Sequence, residues 1–172
     1  MQYIKDSRIN EIRMIYGQSM GAEIGIELLH QLKNDVKVCK AFFDGAPCIK
    51  LSKAYRVFML IKFKALIGMG EKKSVDDILS TSFVKKFSGR KSESLRPMLY
   101  DLSTVTPHLT KTTIRNENEC CYTFDFPQFS DETQKNMFFF YGEEEKAYKL
   151  CAKYVKKHIR TPFTKYSPAR VI

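Results

Sequence analysis

At 172 residues, with 44% hydrophobic and 13% aromatic content, the chain can bury one core and is neither low-complexity nor compositionally disordered. It has no run of 18 or more uncharged apolar residues, and its start, Met-Gln-Tyr-Ile-Lys-Asp-Ser-Arg, has no apolar signal region, so the expectation is one cytoplasmic domain without integral membrane association. A net charge of +10 raises nucleic acid as a partner, but the basic residues are spread along the chain, with local density at 50–64, 85–91 and 153–160 and no helix-turn-helix, zinc-finger or RNP-like pattern beside them. They read as solvated helix faces, and no nucleic-acid partner is expected.

The five cysteines, Cys39, Cys48, Cys120, Cys121 and Cys151, are odd in number and lack any C-x-x-C pair. They read as ordinary reduced thiols, and neither a metal nor a cofactor is expected.

In chain order, Ile12 to Tyr16 is a short, mostly apolar run that suits a strand buried on both faces, as in a parallel sheet. It leads straight into Gly17-Gln18-Ser19-Met20-Gly21. The following stretch to Leu32 places Gly21, Gly25, Leu28, Leu29 and Leu32 on one helical stripe. The order is therefore strand, five-residue turn, helix.

In that context G-x-S-x-G has a specific meaning. A serine in a strained strand-to-helix turn presents its hydroxyl above the sheet, and glycines on either side leave room for the neighbouring strand and helix. The amide of Met20, at the helix N-terminus, would face a developing oxyanion. The plainer reading is a serine N-cap on an ordinary helix, which needs neither glycine. Val36 to Phe43 reads as the next strand, leaving through the turn-rich Asp44-Gly45-Ala46-Pro47.

The run I-Y-G-Q-S-M-G-A-E through F-F-D-G-A-P, with the later F-F-F-Y-G-E-E-E-K-A-Y, resembles small bacterial esterase- or lipase-like enzymes of the α/β-hydrolase superfamily. The resemblance covers roughly residues 10–157, with the turn Gly17 to Gly21, the family's nucleophile elbow, as its diagnostic part. It implies an α/β fold: a partial α/β-hydrolase fold, mostly parallel sheet, with a helical lid insertion. It also implies a serine nucleophile, Ser19.

Residues 48–125 interrupt the strand–helix alternation. Helices are expected over Ala54 to Met69, over Val75 to Phe87 with Ser74 and Asp77 spaced as a capping-box variant, and over Leu95 to Val105 with Leu95, Met98, Leu99 and Leu102 on one stripe. This is where the family places its lid. The first helix mixes aromatic, aliphatic and lysine residues and could face lipid, although packing on its own core is the simpler reading. Asn116 to Phe126 is expected to be an extended return to the sheet.

Met137 to Tyr141 is a second buried strand, ended by Gly142 and followed by Glu143-Glu144-Glu145. The resemblance puts the triad acid just after such a strand. Glu143 is the first candidate and Glu145 the alternate, with Asp44 third; two of the three glutamates would in any case suit a helix N-terminus.

The histidine departs from the family. Ser–acid–His order leaves only His158 after Glu143, yet a helix over 144–157 would run roughly 21 Å down from the catalytic edge. His30 lies about 16 Å along its own helix from Ser19. His108, in the lid, would be an unorthodox base, so the catalytic histidine is expected to be absent, with His108 and His158 as weak candidates. The tail from Ile159, with Pro162 and Pro168, reads as a poor last strand.

The expected organisation is hydrolase core at 1–47, lid insertion at 48–125 and core continuation at 126–172, one domain shortened at both ends. The implied activity is hydrolysis of a small-molecule carboxylic ester or related acyl substrate. The other reading is a catalytically dead fragment or binding remnant. An unpaired edge along Ile12 to Tyr16 would favour self-association or a complementing chain.

Overall fold

The computed structural model describes residues 2–82, 84–85, 93–142, 148–160 and 164–166; the candidate acids Glu143 and Glu145 lie outside them. The chain divides into two compact units: Met1–Leu51 with Cys120–Ile172, and Ser52–Glu119.

In the first unit, helix α1 (Gln2–Asp6) precedes strand β1 (Glu11–Gln18), helix α2 (Met20–Leu32) and strand β2 (Lys37–Asp44). After the second unit come strand β3 (Met137–Gly142), a helix over Tyr148–Lys156 and strand β4 (Thr164–Tyr166). The four strands form one sheet in the order β1-β2-β3-β4, every pair parallel. The expected α/β architecture is therefore present. The tail does return as a strand despite its composition: Phe140, Tyr141 and Gly142 pair with Thr164, Lys165 and Tyr166.

One face of the sheet carries the core. Ile15, Ala41, Phe43, Met137, Phe139 and Tyr141 are buried together with Ala22, Ile26, Leu29 and Leu32 of α2 and Cys151, Ala152 and Val155 of the C-terminal helix. The residues between them lie on the other face. Met14 and Tyr16 are 59% and 58% exposed, and Phe42, Phe138 and Phe140 only half-buried, so β1 is not buried on both faces as its apolar run suggested. The physical reason is that α2 covers one side alone.

The stripe on α2 is also rotated from the expected one. Ala22, Glu23, Gly25, Ile26, Leu29 and Leu32 are its buried residues, while Gly21 and Leu28 are only half-buried.

The second unit contains helices α3 (Lys53–Lys72), α4 (Val75–Ser80) and α5 (Arg96–Val105), a 3-10 turn (Thr106–His108), and most of α6 (Lys111–Tyr122). Its buried cluster is Val75, Ile78, Leu79, Val84 and Leu99, flanked by Leu95 and Leu102; Met98, expected on this stripe, is exposed. Ser74 and Asp77 do form a reciprocal capping box; α4 ends at Ser80, the chain bends at Thr81, and residues 82, 84 and 85 are again helical, while the end of the expected helix at Phe87 lies outside the described residues. Ser80 and Thr81 turn their hydroxyls onto the carbonyls of Asp77 and Ile78, each at 2.7 Å, closing the last turn. Tyr55, Val57, Phe58 and Ile61 of α3 are exposed.

The expectation of an extended segment over Asn116 to Phe126 is corrected by α6. Thr110 caps that helix by accepting the Thr113 amide at 3.0 Å, and Ile114 and Asn118, one helical turn apart, are its buried residues. Extended backbone begins only at Thr123, which bridges Lys50 in antiparallel fashion.

Candidate active site

The turn between β1 and α2 starts as a continuation of the sheet. Gln18 pairs with Asp44 as the last rung between β1 and β2, and the Ser19 amide donates to the Asp44 carbonyl at 2.8 Å. The backbone then reverses: Ser19 has φ 52° and ψ −123°. A non-glycine residue in such a conformation costs about 1–3 kcal/mol and persists only where its surroundings impose it. Ser19 occupies the N-cap position of α2, yet its side chain makes no capping hydrogen bond. A capping serine has extended dihedrals and spends its oxygen on a helix amide; this one is exposed and does neither.

The space behind the turn is set by two glycines. A Cβ on Gly17 would lie 2.7 Å from Ala22 Cα and press on the Gly21 carbonyl oxygen, so only glycine lets the helix start so close to the strand. At Gly21 a Cβ would meet nothing within 4 Å, and the expected steric need for glycine there is not found. The second tight position is Gly25, where a Cβ would come 3.1 Å from Phe43 Cε1 and 3.3 Å from Ile15 Cγ2. It seats α2 on the sheet.

Met20 is the first residue of α2, where a backbone amide has no intrahelical acceptor and the helix dipole is positive. Asp44, the third candidate acid, ends β2 at the same sheet edge and is half-buried. Its Oδ2 accepts the Tyr16 hydroxyl at 3.4 Å.

Two of the three histidines sit elsewhere. His158 donates from Nδ1 to the Tyr154 carbonyl at 3.0 Å and stacks on Phe126 at 5.2 Å. Two residues on, the Arg160 amide donates to Gln134, which precedes β3, so His158 lies toward the N-terminal edge of the sheet, opposite Ser19. His30, in the last turn of α2, meets Phe129 edge-to-face at 5.9 Å, and Phe129 in turn packs on Phe126. Both histidines thus belong to one aromatic cluster. His108 lies in the second unit, exposed, at the end of the 3-10 turn.

Sequence reasoning missed Glu23. It is 1% exposed; its Oε1 accepts the Cys48 amide at 2.9 Å, and its Oε2 is buried with no hydrogen-bond partner among the described residues. Burial pushes its pKa from 4.5 to about 8, against the opposing pull of the Cys48 amide, so the group is neutral at pH 7. It anchors the segment that leaves Asp44, where Gly45 and Cys48 have φ of 58° and 45°. From the other side, the buried Tyr141 hydroxyl donates to the Ala46 carbonyl at 2.8 Å. The available signal was position: Glu23 stands one turn before Ile26, on the face that packs inward.

No family model and no curated protein matches the sequence. Among solved structures, an α/β hydrolase family protein from Desulfitobacterium hafniense matches with TM-score 0.60 at 18% identity, over 96% of this chain and 63% of that one. A structure from a study of carboxylesterases of the thaumarchaeon Nitrososphaera gargenis matches with TM-score 0.62 at 13% identity, over 98% and 60%. Homoserine O-acetyltransferase from Staphylococcus aureus gives 0.54 at 14%, over 95% and 54%. The chain thus spans between 54% and 63% of the length of these three structures. At such identities the likeness is one of architecture, and over that span the chain carries the α/β-hydrolase fold.

Proposed function

We propose that this chain is the nucleophile-bearing part of a serine hydrolase acting on carboxylic esters or related acyl substrates. The observation that supports this reading most directly is Ser19 itself, strained at φ 52° with its hydroxyl unused by the helix it precedes. In the proposed reaction Ser19 Oγ attacks the acyl carbonyl while its proton passes to a base. The oxyanion takes a hydrogen bond from the Met20 amide. Collapse expels the alcohol, which takes up a proton, and leaves an acyl-serine; water then attacks that ester, releasing the carboxylic acid and restoring the hydroxyl. Glu143 is the proposed acid partner of the base, with Glu145 and Asp44 as alternates. The base is unassigned. His30 and His158 are held in the aromatic cluster at the opposite edge, and a base from a complementing chain would complete the proposal.

A fluorophosphonate probe tests the nucleophile. Labelling of the wild-type chain that disappears in Ser19→Ala is the expected result; labelling that survives the substitution removes Ser19 from the role.

A further inference from the structure

The sheet face turned away from α2 is aromatic, in register and open. Tyr16 pairs with Phe42 across β1 and β2, and Phe42 pairs with Phe138 across β2 and β3, so three rings form one row across three strands. Phe42 stacks on Phe138 at 5.1 Å and on Phe140 at 6.0 Å. Met14, Tyr16, Phe42, Asp44 and Phe140 line a single shallow, almost wholly apolar depression. Sheets made only of parallel strands are found with both faces covered, yet Met14 and Tyr16 on this face are exposed.

Charge placement selects the cover. Lys40 and Asp44 flank Phe42 along β2 on this same face: Lys40 lies over the Phe138 ring at 5.2 Å, and Asp44 bonds Tyr16. They are four residues, roughly 13 Å, apart along the strand. We propose that a second copy of this chain covers the face, related by a two-fold axis that crosses the strands at the level of Tyr16, Phe42 and Phe138. The strands of the two copies then run antiparallel. Each ring of the row meets its own counterpart, and Lys40 of each copy faces Asp44 of the other, twice per dimer. A two-fold axis along the strands would instead set Lys40 against Lys40 and Asp44 against Asp44. An isologous contact needs a self-complementary patch, and this pattern satisfies the antiparallel arrangement alone. Stacked sheets of this kind pack about 10 Å apart with their strands roughly 30° from alignment.

Sedimentation equilibrium with charge-reversed full-length chains tests the proposal. Wild type should be a reversible dimer at about 10 µM. Lys40→Asp and Asp44→Lys should each weaken that dimer at least tenfold, since each places like charges opposite one another twice. An equimolar mixture of the two variants should associate as tightly as wild type, because both facing pairs of the mixed dimer are then of opposite sign, and the double variant K40D/D44K should recover likewise. Phe42→Glu, on the axis, should be monomeric with an unchanged circular dichroism spectrum. A monomeric wild type would overturn the proposal, and so would single charge reversals that dimerise like wild type. The latter result would place association elsewhere, as along the β1 backbone edge, which is indifferent to these signs.

Discussion

The amide of Ser19 is bonded to the carbonyl of Asp44 at 2.8 Å, so the reversal at the serine is fastened to the end of the neighbouring strand before the helix begins. The turn can hold that shape only if nothing fills the space behind it. Gly17→Ala should therefore destabilise the chain by at least about 3 kcal/mol, the upper part of the range for overpacking, and should abolish labelling of Ser19. Gly21→Ala, whose added methyl meets nothing within 4 Å, should be neutral or stabilising by up to about 1 kcal/mol, the helix preference of alanine over glycine. Urea denaturation of the two variants side by side gives the comparison, and equal losses in both would contradict the asymmetry.

Glu23 should make stability fall as pH rises. Its folded pKa is raised, from 4.5 to about 8, so between those values the unfolded chain is ionised while the folded chain still holds the proton. The folded state binds more protons, and the free energy of unfolding decreases with pH across this window, by at most about 1.4 kcal/mol per pH unit. Below pH 4.5 the contribution of this group is fully retained. Glu23→Gln should flatten the dependence, being close to wild type at pH 5 and more stable at pH 8. Thermal melts at pH 5, 6.5 and 8 decide it; parallel curves for the two proteins would mean that Glu23 ionises normally.

Tyr141→Phe should leave the buried Ala46 carbonyl without its 2.8 Å donor. The expected loss is about 1–3 kcal/mol, the usual consequence of a buried acceptor losing its partner. It should appear as a lower urea midpoint with an unchanged slope.

Turnover of a p-nitrophenyl ester by the 172-residue chain should be slow, because His30 and His158 are committed to the aromatic cluster with Phe126 and Phe129. His158→Ala should lower the melting temperature, through loss of its stacking on Phe126, and leave the hydrolysis rate unchanged. Brisk hydrolysis abolished by His158→Ala would show that the ring reaches Ser19 after all.

Much of the first unit was legible because its signals are local. Gly17 to Gly21 between an apolar run and a helical stripe, and the runs Val36 to Phe43 and Met137 to Tyr141, each announce their element within a few residues. The exposed faces of Met14 and Tyr16 were not legible, since an apolar run states that burial is favourable without saying what supplies it. Glu23 was hidden for the related reason that a carboxylate on a helix is ordinarily solvated, and only the packing of the Cys48 segment onto α2 reveals its surroundings. The segment from Lys111 to Tyr122 misled because its turn of apolar contact rests on two residues, Ile114 and Asn118, one of them polar. On the acids after Gly142 the sequence reading stands as a proposal.

The bridge between Lys50 and Thr123 bears on how this chain finds its fold. Leu51 donates to the Tyr122 carbonyl at 2.9 Å, and Lys50 pairs with Asp125 at 2.6 Å; inside the second unit, Arg56 pairs with Glu119 and its carbonyl accepts from Asn118. The ends of the inserted segment are thus clasped within each unit. Joining β2 to β3 brings together Lys40 and Asn136, 96 positions apart, a long loop to close from an open coil. Once the clasp has formed, the polypeptide between those strands behaves as a tether of a few dozen residues, which lowers the closure entropy by roughly 1 kcal/mol. The order of assembly that closes the shortest loops is therefore β1, α2 and β2 from neighbouring sequence, then the clasp, then β3 and with it β4.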